Sequence, residues 1–518
     1  MNRAAQVAAV LLTTLLTTHV FAGGTITARK AALSTAHPLA TKAGLAVLQR
    51  GGNAADAAVA VALVLAVVRP QSGNLGGGGF ATFYDAESRG VWTLDFRETA
   101  PRLATKDTRT GASAAGVPGT VAGLHALHER FGSRPWKELV EPAVLLAKET
   151  REDAELAADI ENANKTRKLE LPKTLPPPEL AATLQQLAEK GARDFYEGDI
   201  AKKLVEGAKA AGGVIGFRDL ADYKPIWRAP LKLLYGDYEI FTVPPPSGGG
   251  LVIGETLNIV ANDDLRASGY QTANTLYLLL EAQRRAFIDR HHYVADPAAA
   301  RIPYRELLSR QRGEAWRKTI QERVVGTSML SEPRDLAVEG EHTTHFTIAD
   351  ARGNVVALTT TLGDDFGSGF LVPSLGFFLN SANADFGDKP NAIAPGNRAA
   401  SSLSPTIILR DNRPFLALGT SGGTAIPTTI VQVFLAVVVH GKSLQDAVAA
   451  PRYHHAAVPD EMVTERGRAP QATIDALNAR GHGVKLVPAL GDVHAILFEN
   501  GRMVAVADPR RGGAAGGY

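Results

Sequence analysis

Residues 343–350 read TTHFTIAD, and residues 355–362 read VVALTTTL. Polar and apolar residues alternate from His345 to Asp350, which is typical of a strand that buries one face. Arg352-Gly353-Asn354 provides a turn, and the second segment then returns as a largely apolar strand. The two segments predict a β-hairpin whose first strand begins at Thr343.

Paired strands of this kind recur on both sides of the hairpin. Hydrophobic patterning and turn residues predict strands at 80–84, 90–97, 231–243, 404–409, 414–418, 492–498 and 503–507. An Ala- and Val-rich helix is predicted from Asn53 to Arg69, where Pro70 ends it, and further helices at 272–294 and 424–439. Because the first helix has almost no polar face, it must be buried on all sides. This order of elements favours a layered α/β protein with buried sheets.

Composition excludes several classes of protein. The chain has 518 residues, 45% of them hydrophobic and 21% charged, so it is neither disordered nor a small module. Its net charge of +2 gives no basic surface of the kind that a dedicated nucleic-acid-binding protein needs. It has no cysteine, so a nucleophile must be Ser, Thr, Lys, Asp or Glu.

The first 22 residues read as a secretory signal peptide. Arg3 provides the positive start, an apolar stretch follows, and Val20-Phe21-Ala22 places small residues before a cleavage point. The alternative is a membrane anchor, but the apolar stretch is shorter than the ~20 residues that span a bilayer. We therefore expect an exported protein, periplasmic or secreted, without stable membrane insertion.

Thr343 could act as a nucleophile under one condition. Inside a chain, a threonine hydroxyl has no local base. If the chain is cut before Thr343, the new α-amine lies beside the hydroxyl and titrates near ~7.7–8.0, so it can accept the hydroxyl proton. An ordinary Thr-Thr strand start is the alternative interpretation of these residues.

Motifs along nearly the whole mature chain resemble the γ-glutamyltranspeptidase family. They are, in order, NAADAA at 53–58, GNLGGGGF at 73–80, LDFRETAP at 94–101, GVPGTVAG at 116–123, PPPSGG at 244–249, TTHF at 343–346, SSLSPT at 401–406, SGG at 421–423 and DPR at 508–510. Each motif is weak by itself, whereas the ordered set is highly specific.

The resemblance implies a four-layer αββα N-terminal-nucleophile hydrolase fold. It implies a precursor that cleaves itself between His342 and Thr343, giving a large subunit of 23–342 and a small catalytic subunit of 343–518 that remain together. The implied reaction is acyl transfer from γ-glutamyl compounds such as glutathione to water or an amino acid. No cofactor and no metal are expected.

The resemblance also assigns roles to single residues. Thr361 corresponds to a second threonine beside the nucleophile, and Gly422 and Gly423 to the glycines of an oxyanion hole. The donor would be held by four further residues: Arg97, Ser401 and Ser402 on its α-carboxylate, and Asp385 on its α-ammonium. A planar guanidinium suits a carboxylate because it can donate two parallel hydrogen bonds.

The chain departs from the family pattern at the ammonium end of that site. Gly363 replaces a usual Asn, and Ala382 replaces a usual Gln or Glu, so Asp385 is expected to hold the ammonium almost alone. Between Phe386 and Ser401 the chain is short and lacks a lid segment found in many members. We therefore expect weak discrimination between γ-glutamyl and glutaryl donors, and a more open site.

Two other functions stay open at this point. The first is an acylase of the same family that acts on glutaryl-type or other acyl amides, and the second is a non-catalytic peptide-binding protein. Smaller features predict little chemistry: Gly76–Gly79 indicates close backbone packing, and His291-His292 and His454-His455 lack the spacing of metal ligands. Arg284-Arg285 is expected on a solvated or interdomain face.

Overall fold

A computed structural model describes residues 19–149, 153–331, 340 and 343–518. Residues 1–18 of the predicted signal peptide lie outside the described residues. His342 of the predicted cleavage site also lies outside them. None of the helices in these ranges is long and apolar enough to cross a bilayer.

The strands are short and spread over the whole chain. They are β1 His19–Ala22, β2 Thr25–Ala28, β3 Ala32–Thr35, β4 Gly78–Asp85, β5 Gly90–Asp95, β6 Ile226–Arg228, β7 Leu231–Tyr235, β8 Tyr238–Thr242, β9 Thr343–Ala349, β10 Val355–Thr361, β11 Thr406–Arg410, β12 Arg413–Gly419, β13 Tyr453–His454, β14 Met462–Glu465, β15 Val484–Val487, β16 His494–Glu499, β17 Arg502–Ala507 and β18 Ala514–Gly517.

The helices are concentrated in the first two thirds of the chain. They are α1 Pro38–Gln49, α2 Ala54–Val68, α3 Thr120–Phe131, α4 Trp136–Ala147, α5 Ala154–Thr166, α6 Pro178–Lys190, α7 Arg193–Glu197, α8 Asp199–Ala210, α9 Phe217–Asp222, α10 Gly249–Ile259, α11 Leu265–Ser268, α12 Ala273–Tyr293, α13 Tyr304–Leu307, α14 Arg310–Lys318, α15 Thr327–Leu330, α16 Ala425–Val438, α17 Leu444–Ala449 and α18 Gln471–Ala479, with 3₁₀ turns at Gly111–Ala114 and Ala382–Asp385.

Two large sheets contain most of the strands. One has the order β1-β18-β3-β9-β10-β4-β5-β6 and the other the order β2-β17-β16-β12-β11-β8-β7, while β13, β14 and β15 form a small third sheet. The predicted hairpin is confirmed as β9 and β10, which pair antiparallel at the centre of the first sheet. β9 begins at Thr343, as the alternating pattern predicts.

Three apolar clusters show how the layers stack. Val356 and Leu358 of β10 pack with the helices that cover the first sheet. Val355 and Ala357, on the opposite face of the same strand, pack with residues of the second sheet such as Ile407. The outer face of the second sheet packs against α10, α12 and α16. The predicted order helix, sheet, sheet, helix is therefore confirmed.

Helix α2 shows why its sequence folds where it does. The Asn53 side chain accepts a hydrogen bond from the Asp56 amide, and the Asp56 carboxylate accepts one from the Asn53 amide, which completes a capping box. All 15 residues of the helix are buried, as its lack of a polar face requires. The helix ends at Val68, two residues before Pro70.

The glycine-rich segment 76–79 packs backbone against backbone, as predicted. A methyl group on Gly77 would lie 2.2 Å from the Thr361 carbonyl oxygen, and one on Gly79 would lie 2.2 Å from that of Thr359. Only glycine fits at such separations. Residues 76–79 therefore lie directly beside the end of β10.

One surface prediction is wrong. Arg284 and Arg285 on α12 are fully buried rather than solvated. Both donate to the Glu281 carboxylate, at 2.6 and 2.8 Å, and their other nitrogens reach carbonyl groups between residues 319 and 325. Buried guanidinium groups are tolerated here because each has a carboxylate partner and several acceptors.

Candidate active site

The predicted nucleophile and its companion threonine lie side by side. Thr343 is the first residue of β9 and Thr361 the last of β10, and the two are directly opposite each other in the hairpin. The Thr343 hydroxyl donates to the Thr361 hydroxyl across 3.2 Å, and the latter accepts the Gly363 amide at 2.9 Å. Both residues are 4% exposed. The hairpin register thus places two hydroxyl groups at one end of the central sheet.

Gly422 and Gly423 lie in the turn that joins β12 to α16. Their φ angles are +119° and +53°, in the region that L side chains rarely adopt. A methyl group on Gly422 would lie 3.2 Å from the Cα of Gly491, so this turn is supported by a second loop. The turn has the open backbone that binding of an oxyanion requires.

A histidine links the strand before this turn to β9, the strand that begins with the predicted nucleophile. His345, two residues after Thr343, packs its ring against Gly419, where a methyl group would lie 2.4 Å from Cε1. Its two ring nitrogens contact the hydroxyls of Thr359 and Thr347, at 2.8 and 3.0 Å. Burial lowers the pKa of His345 well below its usual value, so the ring is neutral. Its packing holds β12, and therefore the glycine turn, opposite β9.

Arg97 and Asp385 form a buried ion pair. One guanidinium nitrogen of Arg97 donates a short hydrogen bond to Asp385, and another donates to Glu98 at 2.8 Å. The Arg97 carbonyl accepts from Tyr223 at 3.0 Å and from Arg398 at 3.3 Å, which fixes the backbone. Arg97 is 2% exposed, so it is not a surface residue at a strand end.

This ion pair adjoins the two threonines through Gly78 and Glu98. Gly78 is directly opposite Thr361 in the sheet. A methyl group on Gly78 would lie 2.8 Å from the Glu98 carboxylate, which is itself bound to Arg97. The structure therefore brings Thr343, Thr361, Arg97 and Asp385 into one region.

The charge state of Asp385 depends on its surroundings. Burial raises the pKa of Asp385 to about 6, although the adjacent Arg97 guanidinium acts in the opposite direction; the carboxylate of Asp364 raises it further. Asp385 is therefore ionised at neutral pH and titrates in the mildly acidic range. It is a buried acid, not a solvated one.

Ser401 and Ser402 lie in a segment that pairs with the Pro-rich loop before α10. The Gly248 amide donates to the Ser401 carbonyl at 2.6 Å, and the Ser401 amide donates to the Pro246 carbonyl at 3.0 Å. The Ser402 hydroxyl is buried and has no partner among the described residues. A buried hydroxyl without a partner suits a polar ligand.

Two charged residues near the site were missed by the sequence analysis. Glu98 is bound to Arg97, and burial raises its pKa. Arg290 of α12 is 7% exposed and lies against Gly248; burial lowers its pKa to about 10, while the negative charge of Asp385 acts against that shift. Glu98 is adjacent to a predicted site residue, but no local pattern distinguishes Arg290 from the other arginines of its helix.

The arrangement can support acyl transfer. It combines a threonine hydroxyl, a guanidinium group and a carboxylate within one buried region, and the His345 ring packs against Gly419, at the end of the strand that leads into the glycine turn. Among the described residues, no group of three or more His, Asp or Glu side chains could hold a metal ion.

Comparison with known proteins identifies the family. A family model described as Gamma-glutamyltranspeptidase matches residues 40–518. The chain belongs to this family. The Glutathione hydrolase proenzyme of Escherichia coli (strain K12) is 34% identical over 530 residues, covering 94% of this chain and 91% of that protein. The Acylase ACY 1 proenzyme of Pseudomonas sp. (strain SE83) is 34% identical over 508 residues, with 90% and 89% coverage.

A solved structure of the same architecture supports the fold. The cephalosporin acylase from Bacillus halodurans has a TM-score of 0.85 and 26% identity, and the match covers 96% of this chain and 97% of that one. This γ-glutamyltranspeptidase-family chain thus has the N-terminal-nucleophile hydrolase fold. It is an enzyme of the hydrolase and acyl-transferase type.

Proposed function

We propose that this enzyme hydrolyses or transfers the γ-glutamyl group of glutathione and related compounds, with Thr343 as nucleophile after self-cleavage at the His342–Thr343 bond. The observation that carries the proposal is the position of Thr343. Thr343 begins the central hairpin, and its hydroxyl contacts that of Thr361 at 3.2 Å. The relatives of this chain include proteins named proenzymes.

The first step follows from the chemistry of an N-terminal threonine. The Thr343 hydroxyl oxygen attacks the γ-carbonyl carbon of the donor while the hydroxyl proton passes to the free α-amine of Thr343. The backbone of Gly422 and Gly423 stabilises the negative oxygen that forms. The C–N bond then breaks, the leaving amine takes the proton, and a γ-glutamyl ester on Thr343 remains.

The second step releases the acyl group. Water attacks the ester and gives glutamate, or the amine of an amino acid attacks and gives a new γ-glutamyl amide. In both cases the Thr343 α-amine accepts a proton from the attacking group, and the Thr343 hydroxyl is restored.

The buried ion pair favours a zwitterionic donor. The α-carbon of a γ-glutamyl group carries both a carboxylate and an ammonium. Arg97 and the Ser402 hydroxyl, which has no partner in the described part of the chain, are suited to the carboxylate, and Asp385 is suited to the ammonium. A donor of this kind gives each member of the ion pair a second partner of opposite sign, which further offsets the cost of burial.

We further propose an exported two-subunit enzyme. A large subunit of 23–342 and a small subunit of 343–518 would remain together through the central sheet, because β3 and β4 of the first subunit flank the β9–β10 hairpin of the second. Removal of 1–22 would take away the edge strand His19–Ala22 and leave β18 at the edge of the sheet. The candidate site lies at strands further inside.

A family acylase is the second candidate function. Gly363 and Ala382 offer no side-chain hydrogen bond to an ammonium, so a glutaryl or other acyl donor would lose little at these positions. An acylase would use the same nucleophile and the same oxyanion turn, and only the donor would differ.

The test uses purified protein and a panel of donors. Wild type should resolve into two chains on a denaturing gel, with Thr343 as the N-terminus of the smaller, whereas Thr343→Ala should remain one inactive chain. Matured wild type should hydrolyse γ-glutamyl p-nitroanilide and glutathione faster than glutaryl p-nitroanilide. An active, uncut Thr343→Ala protein would refute the mechanism, and a preference for glutaryl would favour the acylase.

A further inference from the structure

An acidic residue beside the ammonium end of the donor site has no role in the chemistry described above. Asp364 directly follows Gly363, and its side chain is 44% exposed, whereas Arg97 and Asp385 are buried. Gly363 in turn donates its amide to Thr361, the companion of the predicted nucleophile. Asp364 therefore lies three residues after Thr361, next to the residue whose amide binds the Thr361 hydroxyl.

Hydrogen bonds fix Asp364 next to the turn that carries Asp385. The Asp364 amide donates to the Ser381 hydroxyl at 3.1 Å, and the Ser381 amide donates to the Leu362 carbonyl at 2.8 Å. Ser381 immediately precedes the 3₁₀ turn Ala382–Asp385. The two acids are thus held on adjoining segments, and the charge of Asp364 is felt at Asp385, whose pKa it raises after the larger effect of burial.

The nearby Arg167 guanidinium does not form a close hydrogen bond with the Asp364 carboxylate. Arg167 lies 3.7 Å from the Asp364 carboxylate. Its guanidinium instead donates to the carbonyls of Asp365 and Gly367, the latter at 2.8 Å. Among the described residues, no side chain donates a hydrogen bond to the Asp364 carboxylate, so its oxygens can accept one from a ligand.

We propose that Asp364 is a specificity-determining residue whose carboxylate, together with Asp385, holds the ammonium group of a γ-glutamyl donor. The inference rests on the proposed function. It assigns the ammonium a second partner at the place where Gly363 and Ala382 supply none. A glutaryl donor has no ammonium, so it would leave two neighbouring carboxylates without a counter-charge and would be bound less well.

The test removes this charge and keeps the shape of the side chain. Asp364→Asn is compared with Asp388→Asn, a matched change of an exposed acid three residues after Asp385. Values of kcat and KM are measured for γ-glutamyl and glutaryl p-nitroanilide and normalised to matured active sites, which a burst titration counts. Asp364→Glu serves as the conservative variant.

We expect Asp364→Asn to lower kcat/KM for the γ-glutamyl donor about five- to tenfold, mainly through KM, and to leave the glutaryl donor within about twofold. Asp364→Glu should recover part of the loss, and Asp388→Asn should change neither donor by more than about twofold. An equal loss for both donors, or no change in their ratio, would overturn the inference while the proposed function stands. A wild type that does not hydrolyse the γ-glutamyl donor would refute the proposed function itself.

Discussion

Arg97 donates a short hydrogen bond to Asp385, and both residues are almost completely removed from solvent. A buried ion pair costs desolvation energy, so it is weak support for stability by itself. In this position it presents a fixed positive and a fixed negative group to one small region. If the proposed function holds, the pair pre-orients the site for a donor that carries both charges.

Replacing Arg97 with Lys should separate donor binding from maturation. Arg97→Lys keeps the charge and loses the planar fork that binds a carboxylate through two hydrogen bonds. We expect the protein still to yield two chains, while kcat/KM for a γ-glutamyl donor falls at least about tenfold, roughly 1.4 kcal/mol. Steady-state kinetics on matured protein measure this, and unchanged donor kinetics would remove Arg97 from the donor site.

The pH dependence of donor choice should report Asp385. Burial raises its pKa to about 6, so the carboxylate is charged above that pH and becomes neutral as the pH falls through it. The ammonium contact is then lost at low pH. We expect the ratio of kcat/KM for γ-glutamyl over glutaryl p-nitroanilide to fall as the pH drops below about 6.

The ratio of the two kcat/KM values is used because it cancels the titration of any group that affects both donors equally. After the proposed cleavage, the Thr343 α-amine titrates at about 7.7–8.0 and affects both donors alike, so its contribution cancels in the ratio. Asp385→Asn should give a low ratio that does not vary between about pH 5 and 7.5. A wild-type ratio that is constant across the same range would show that Asp385 does not contact the ammonium.

Local patterns predicted the centre of the fold well. The period of two in 343–350 marks β9 because its alternate residues pack on opposite faces of a buried sheet. Asn53 and Pro70 mark the ends of α2 because capping and the missing proline amide act within a few residues. In β9 and α2, interactions between residues close in sequence determine where the element begins and ends.

Tertiary contacts decided what the patterns missed. Helix α10 begins at Gly249, inside a segment whose prolines and glycines indicate only a turn. A methyl group on Gly249 would lie 1.8 Å from the Ser404 hydroxyl, so the glycine serves a contact more than 150 residues away. The burial of Arg284 likewise depends on the Val325 carbonyl, 41 residues along the chain. Spacing within a helix gives no sign of such partners.

A buried threonine before the glycine turn should support the oxyanion hole. The Thr420 hydroxyl donates to the Ser421 carbonyl at 2.9 Å and accepts the Asp492 amide at 2.8 Å, which ties the turn to the loop behind it. Thr420→Val keeps the shape and removes both bonds. We expect kcat to fall about fivefold with little change in KM, because about 1 kcal/mol, roughly half the combined value of the two lost bonds, would act on the oxyanion turn in the transition state.

The serine variant controls for this change. Thr420→Ser retains the hydroxyl and should keep kcat within about twofold of wild type, and thermal unfolding reports any loss of stability in both variants. A fall of KM and kcat together, or an equal fall in Thr420→Ser, would argue that the position matters only for packing.

The last prediction concerns Gly363, where the chain departs from its family. The family's usual residue, Asn, carries a side chain that could bind an ammonium, but Gly363 has a φ of +87° and a Cβ there would lie 2.4 Å from the Ser381 hydroxyl. That hydroxyl also accepts the Asp364 amide. We therefore expect Gly363→Asn to lose stability, by about 1–3 kcal/mol for the backbone strain alone, and to weaken γ-glutamyl selectivity by displacing Asp364. Gly363→Ala should destabilise the protein to a similar extent, because the clash begins at Cβ. Thermal unfolding and the two-donor kinetics test both variants, and a stable Gly363→Asn enzyme with higher selectivity would contradict this account of the pocket.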